Sequence, residues 1–344
     1  MSCFHLEEYV DLQPHNTFGV TVTARYFFRI NNTGDLEVLL NSSLFHENRY
    51  FILGGGSNTL FAKEKFDGII LKNEIKGIEI LSEDDNNTDL RVGAGVEWTS
   101  LVDYCIHNDL GGLENLSLIP GTVGAAPIQN VGAYGAELSD VLLDVEVFDM
   151  NTGQLAKMSK EECKLQYRDS VFKQTLKKVM ICFVTIRTTK ALFHGVDAGN
   201  AAIQQVLREL GVSKPSIRSV SEAVCILRRR KLPDPKVTGN AGSFFKNVVI
   251  DEALRHSIKK IDKDVPLFLR PEGLHVIPAA CLIEKCGWKG RQIGQAGVSA
   301  SHALVLVNLG GATGCDIVCL AELIVRDVEF KFGVLLTHEV NIVK

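Results

Sequence analysis

The sequence predicts an α+β fold, and three observations carry that expectation. Strand-like runs at 50–53, 68–71, 78–81, 90–93, 141–148 and 178–188 share one helical pattern between them, without the βαβ alternation of a parallel sheet. Both strand–glycine junctions fail the dinucleotide pattern G-x-G-x-x-G. Thr59 takes the last position after Gly54 and Gly56, and Trp98 takes it after Gly93 and Gly95. Residues 113–135 are too apolar for an ordinary loop and too broken by glycine and proline for a helix or strand.

The elements follow in order. Asn16-Thr17-Phe18-Gly19-Val20 opens the ordered part, and an extended run at 24–30 leads into the polar connector 31–34. A short helix is expected over 36–44. A buried strand, 50–53, then runs straight into Gly54-Gly55-Gly56. A helix over 99–109 puts Leu101 and Cys105 on one face, with Gly111 as its stop. After the strands at 141–148 and 178–188 a boundary falls near 190–211. Ser219 and Glu222 have capping-box spacing ahead of a helix whose inner face is Val220, Val224 and Leu227. That helix runs into Arg228-Arg229-Arg230-Lys231 and stops at Pro233-Asp234-Pro235. A second glycine loop follows, 239–247. Helices are expected over 251–260, 279–286 and 316–332, and strands over 302–308 and 334–343.

Composition narrows the function classes. At 344 residues the chain makes two or three domains of roughly 100–200 residues each. The net charge is −4 and no lysine/arginine block is long enough for a nucleic-acid footprint, so local cations must hold any acidic ligand. The first eight residues lack the basic and apolar regions of a signal peptide. No run of about 18 apolar residues is present, so no membrane insertion is expected. Nine cysteines are scattered without paired spacings; Cys281 and Cys286, or Cys315 and Cys319, lack C-x-x-C spacing. A reducing cytoplasm, no structural metal and no obligate protein partner are the expectations.

Two glycine stretches carry the chemistry. In 113–135, Gly121, Gly124, Gly132 and Gly135 alternate with Thr122, Ala125, Ala126, Gln129 and Asn130, so backbone can approach a ligand closely. Such a surface would present main-chain N–H groups to something large, flat and anionic. Leu53-Gly54-Gly55-Gly56-Ser57-Asn58 could cradle a diphosphate in the same way. Two such stretches in one chain favour a nucleotide-type cofactor.

The motifs resemble those of the UDP-N-acetylenolpyruvoylglucosamine reductases, flavoenzymes of bacterial cell-wall precursor synthesis. The matching pieces are Asn16-Thr17-Phe18-Gly19, Gly56-Ser57-Asn58, 119–135, Tyr167-Arg168-Asp169-Ser170, Lys231-Leu232-Pro233-Asp234-Pro235, 239–247 and the strand around Glu339. They fall in the family's order and span almost the whole chain. The resemblance implies a vanillyl-alcohol-oxidase-type, two-domain FAD scaffold plus an α+β substrate-binding domain. Its parts would be 1–72 joined by the carboxyl-terminal strand 334–344, then 73–211, then 212–333. The longer-looped subclass is the closer match.

The resemblance also implies the reaction: NADPH-dependent reduction, through bound FAD, of the enolpyruvyl double bond of UDP-N-acetylglucosamine enolpyruvate. Addition of hydride to the methylene carbon leaves charge on the neighbouring carbon and its carboxylate. The family's catalytic positions fall on Arg168, Ser243 and Glu339. Arg168 can grip a carboxylate with two parallel hydrogen bonds, Ser243 matches the proton donor, and Glu339 is expected to be protonated beside the substrate. On the residues alone, Arg168 could pair with Asp169, Ser243 could be a turn serine, and Glu339 an exposed strand carboxylate. Substrate contacts fall on Tyr134, Lys231, Asn247 and Gln292. FAD contacts fall on Gly54, Gly55, Gly56, Ser57, Asn58, Pro120, Gly121, Gly124, Ala125, Ala126, Gln129, Asn130 and Arg228.

Three departures stand out. His194 is found where the subclass often has its substrate-covering tyrosine, and would make that contact pH-dependent. His275 stands near a frequent lysine, and His338 precedes Glu339 where proline is common. Two other readings remain open: a sugar or alcohol oxidase on the same FAD scaffold, or a nucleotide-sugar binding protein without catalysis.

Overall fold

A computed structural model describes residues 6–269 and 274–344. Residues 1–5, which carry much of the amino-terminal reading and Cys3, lie outside the described residues. The chain divides into two compact units. The first holds the chain up to Val10, Ala24–Gly55 and Asp67–Arg229; the second holds Asp11–Thr23, Gly56–Phe66 and Arg230–Lys344.

In the first unit, four strands run in the order Leu6–Asp11, Thr23–Ile30, Lys65–Asn73, Tyr50–Leu53, the last two parallel. A second, antiparallel sheet takes the order Leu155–Ser159, Leu142–Asp149, Val179–Lys190, Asn87–Gly93, Ile78–Glu83. Val179–Lys190 lies at the centre of this sheet with seven of its twelve residues buried, in keeping with its run of Val, Met, Ile, Cys and Phe. One face covers Trp98, Leu101, Val102 and Cys105 of the helix Trp98–His107, together with Leu113, Leu116, Val123 and Ala126 of the apolar loop. The loop is apolar because it is core.

In the second unit, Gly239–Ser243, Val305–Asn308, Ala296–Val298 and Gln292–Ile293 form one antiparallel sheet. Asn341–Val343 pairs in parallel with Thr59–Phe61. The helix Gly314–Phe332 buries Ile317, Leu320, Ala321, Ile324, Val328 and Phe332 at helical spacing. A Thr313–Asp316 capping box opens it and left-handed Gly333 closes it.

Several expectations are corrected. The helix expected over 36–44 is two helices, Thr33–Leu40 and Ser43–Glu47, because Ser42 caps a new start by accepting from the Phe45 N–H at 3.3 Å. The next helix ends at His107, since left-handed Asp109 turns the chain; Gly111 lies in a strand against Val179–Lys190. The stretch 190–211 contains a helix, Ala201–Glu209, and the strand Leu155–Ser159 was not anticipated. Ala201–Glu209 shares a core with Ile217–Lys231, through Ile203, Val206, Leu207, Val220, Val224 and Leu227, so a division at 211/212 would pass through that core. The cap of the second helix is three residues earlier than Ser219–Glu222: Ser216 and Ser219 exchange N–H to Oγ bonds of 2.8 and 3.2 Å. The last stretch is not one strand. Only Asn341–Val343 is regular, with a single bridge from His338 to Phe245 before it.

Gly314 explains how the long helix reaches the strand Thr59–Phe61. A Cβ there would lie 1.7 Å from the Phe61 carbonyl oxygen. Gly314→Ala should therefore cost about 3 kcal/mol or more, the range for enforced backbone displacement. Chemical denaturation checks this; a cost within about 0.5 kcal/mol of zero would contradict it.

Candidate active site

In the first unit the two glycine stretches meet main chain to main chain. A Cβ on Gly55 would lie 2.7 Å from the Gly121 Cα, and one on Gly54 would lie 2.6 Å from the Thr122 Oγ1. Only glycine permits this approach. The loop is laid across residues 94–98 by backbone bonds: Trp98 N–H to Gly121 O at 2.9 Å, Val123 N–H to Val96 O at 2.8 Å, and Gly124 N–H to Ala94 O at 2.9 Å. Gly93 and Gly95, which fail the dinucleotide pattern, serve the same kind of packing, against Ile75–Lys76 and Glu74.

This corrects how the loop was expected to present its amides. The N–H groups of Val123, Gly124, Ala125 and Ala126 all donate to carbonyls inside the unit. Gly124 is small because a Cβ there would meet the Ala94 Cβ at 2.4 Å. At the 54–56 turn it is the carbonyls that are tied down. Gly54 O accepts from the Lys72 ammonium, and within the second unit Gly56 O accepts from the Thr17 N–H at 3.2 Å. That is the task of the Asn16-Thr17-Phe18-Gly19 motif. Asn16 braces the motif by donating to Leu12 O and Val20 O at 2.8 and 3.0 Å.

Arg168, Tyr134 and Arg228 share one electrostatic neighbourhood in the first unit. Arg168 is left-handed at φ +54°, and its guanidinium donates to Gly132 O at 2.6 Å and Asn130 O at 3.4 Å. Asn130, itself left-handed, donates to Glu137 Oε2 at 2.7 Å and Gln166 O at 3.3 Å. Ser170 Oγ donates to Ile128 O at 2.6 Å, so the Tyr167–Ser170 motif is clamped onto the loop carrying Gln129 and Asn130. Asp169 accepts from Gln174 Nε2 at 2.6 Å. Arg228 donates to Leu118 O at 3.1 Å, and burial pushes its guanidinium below the ordinary arginine value. Burial pushes the Tyr134 hydroxyl up, with the Arg228 charge opposing.

In the second unit, residues 244–246 lie alongside 337–339. Glu339 N–H donates to Phe244 O at 2.8 Å and Lys246 N–H to Thr337 O at 2.9 Å, so Ser243 and Glu339 stand on adjoining segments. His338 packs edge-on against Phe244 at 5.3 Å, and burial pushes its imidazole below the ordinary histidine value. The segment is anchored here. Asn58 Nδ2 donates to Glu339 O at 3.2 Å, and Asn58 O accepts from Asn341 N–H at 3.0 Å. Ser57 stands in the same turn, half-buried beside buried Gly56.

Other expected contacts have local duties. Asn247 Oδ1 accepts from the Ala279 N–H at 3.1 Å and caps the helix Ala279–Lys285. Lys231 is exposed, with its carbonyl accepting from Ser301 Oγ at 3.0 Å. Gln292 is exposed on an edge strand, as is Pro120 on its loop. His275 Nδ1 lies 3.7 Å from a Glu252 carboxylate oxygen.

The comparisons with known proteins follow this geometry. Residues 24–159 match the FAD binding domain family, and 234–343 match the carboxyl-terminal domain of UDP-N-acetylenolpyruvoylglucosamine reductase. The UDP-N-acetylenolpyruvoylglucosamine reductase of Amoebophilus asiaticus is 46% identical over 98% of this chain and 99% of its own length. The chain belongs to the UDP-N-acetylenolpyruvoylglucosamine reductase family. The reductase of Pseudomonas fluorescens is 41% identical over 96% of this chain and 97% of its own. Among solved structures, the reductase of Thermus caldophilus shares the fold at a TM-score of 0.67 and 24% identity, over 99% of this chain and 100% of that one. The 6-hydroxy-D-nicotine oxidase of Arthrobacter nicotinovorans does so at 0.53 and 13%, over 97% and 87%. The expected α+β FAD scaffold is thereby borne out.

The first unit of this reductase fits a flavin dinucleotide. Thr122 Oγ1 is buried without a hydrogen-bond partner at the junction of the glycine turns, and Arg228 is a half-buried cation suited to an anionic ligand. Thr122 stands among the small residues of the loop, but the missed signal was its hydroxyl.

His194 is held by a carboxylate that sequence reasoning missed. Its Nε2 donates to Glu114 Oε1 at 2.5 Å, and the ring lies over Gly111. With Glu114 and Asp197 it lines a cleft of about 450 Å³ beside Gly135. The bond to Glu114 raises the His194 titration above the ordinary 6.5, against burial. Burial pushes Glu114 up, but hydrogen bonds from His194 and the Gly112 N–H prevail and hold it below 4.5. The His194 contribution is complete below 6.5 and fades as pH rises through its raised value; the Glu114 contribution is present above 4.5 and fades on acidification. The pair is therefore strongest between those limits. Glu114→Gln should cost about 1–3 kcal/mol there and return the His194 titration toward 6.5, followed by NMR. An unmoved titration would contradict the pairing.

Proposed function

We propose that the chain catalyses the NADPH-dependent reduction of UDP-N-acetylglucosamine enolpyruvate to UDP-N-acetylmuramate in the cytoplasm, for peptidoglycan precursor synthesis. The observation that carries this reading is the pairing of 244–246 with 337–339. It supports a shared task for Glu339 and for Ser243, the residue before Phe244, which a simple oxidase on the same scaffold would leave without one. Eight free cysteines among the described residues accord with a reducing compartment. No helix of the described residues is long and apolar enough to cross a membrane.

Bound FAD would supply the hydride, passed on from NADPH to the methylene carbon of the enolpyruvyl group. The chain does the rest. Gly54, Gly55, Gly56, Ser57 and Asn58 would hold the diphosphate, and Pro120, Gly121, Thr122, Ala125 and Ala126 with Gln129 and Asn130 would hold the rest of the FAD. Arg168 holds the substrate carboxylate with a guanidinium that main-chain carbonyls of Asn130 and Gly132 orient. Charge developing on the carbon beside that carboxylate meets Arg168 and a protonated Glu339. Ser243 Oγ gives its proton to that carbon. A hydroxyl is a weak acid, so this works only toward a strongly basic carbon away from water. Tyr134, Lys231, Asn247 and Gln292 orient the nucleotide sugar, and Arg228 stabilises the flavin or its diphosphate.

Rapid mixing separates the two halves of the reaction. In Ser243→Ala, reduction of the bound flavin by NADPH should keep its rate, since that half needs no proton on carbon. Reoxidation by the enolpyruvyl sugar should slow by about 10²-fold or more. Equal slowing of both halves would make Ser243 structural, and a colourless folded protein would remove the flavoenzyme reading.

A further inference from the structure

Lys72 has no part in the reaction above, yet it brings a cation to the back of the glycine turn. It stands opposite Leu53 in the parallel pairing of Tyr50–Leu53 with Lys65–Asn73, one residue before Gly54. Its ammonium donates to the Gly54 carbonyl. The strand leading to it is buried at Ile69, Ile70 and Leu71, so the charge is held where solvent is scarce. Burial pushes the ammonium below the ordinary lysine value of 10.5; Glu74 and Glu97 oppose this, while Lys76 and Arg29 add to it. Glu74 is itself bonded to Arg29 at 2.9 Å. The contact that Lys72 makes is with a neutral carbonyl, which a neutral donor would satisfy at a lower desolvation cost.

A trans peptide points its C=O and the following N–H in opposite directions within one plane. Fixing the Gly54 carbonyl on Lys72 therefore turns the Gly55 N–H the other way. A carbonyl left free at this turn would face an incoming anion with its negative end. We propose that Lys72 is the electrostatic positioning residue of the FAD diphosphate: it orients the Gly54–Gly55 peptide and supplies charge that the dianion neutralises. The inference rests on FAD being the ligand of these glycine turns.

The dianion should favour the protonated ammonium, so binding and protonation of Lys72 are linked. The test is the FAD dissociation constant of apoprotein as a function of pH, for wild type, Lys72→Arg and Lys72→Met. Wild-type affinity should be level at neutral pH and fall on the alkaline side as Lys72 loses its proton, by at most about tenfold per pH unit for one proton. Lys72→Arg, charged throughout, should keep the neutral affinity and lose the alkaline fall. Lys72→Met should bind about tenfold or more weakly at neutral pH, also without the fall. A purely structural lysine predicts a wild-type pH profile in Lys72→Arg, and that result overturns the proposal. Should Lys72→Met fail to fold, Lys72→Arg alone decides. Wild type that binds no FAD at any pH would instead overturn the functional reading.

Discussion

The structure depends on one contact: two glycine turns packed main chain against main chain, Gly54–Gly55 on Gly121–Thr122. No side chain fits between them, so each turn fixes the other. The apolar loop can hold that position because its own amides are satisfied by Val96, Ala94, Thr122 and Val123 carbonyls and its apolar side chains are core. A buried loop with unmet polar groups would be costly. This one has been converted into a wall, and among its described residues Asn115 Oδ1 and Thr122 Oγ1 are the buried side-chain atoms left unmet.

The second unit uses the same device. A Cβ on Gly56 would lie 2.1 Å from the His15 carbonyl oxygen, so the turn sits directly on the Asn16–Thr17 segment. From there Asn58 holds the chain at Glu339 and Asn341, and Glu339 is held again by Phe244. The aromatic cluster of Phe18, Phe244, Phe245 and His338 supplies the packing behind these bonds. Residues far apart in the chain, 58, 244 and 339, thus become one neighbourhood through backbone pairing.

Much of this was legible in the sequence, because glycine, proline and hydrophobic periodicity are local signals. The strand into Gly54, the helix beginning near residue 98 and the long helix ending at Phe332 follow from such signals. What stayed hidden was pairing. Nothing in Gly124 distinguishes an amide offered to a ligand from one bonded to Ala94, since the partner lies elsewhere in the chain. Glu114 reads as a polar residue in a glycine loop until His194 is seen against it. Ser216 and Ser219 cap through a reciprocal hydroxyl pair that the usual Ser-x-x-Glu pattern does not describe. Lys72 carries no local signal of its contact; the parallel register sets it opposite Leu53, with its ammonium on the Gly54 carbonyl.

The account stands on the glycine contact as the seat of the flavin, and the flavin content of purified Gly55→Ala measures it most directly. Its Cβ would displace the Gly121 backbone, whereas Gly195→Ala, with nothing within 4 Å, is the matched control. The account predicts Gly55→Ala protein with little or no bound FAD and Gly195→Ala with a full complement. Gly55→Ala protein that retains stoichiometric FAD would contradict it.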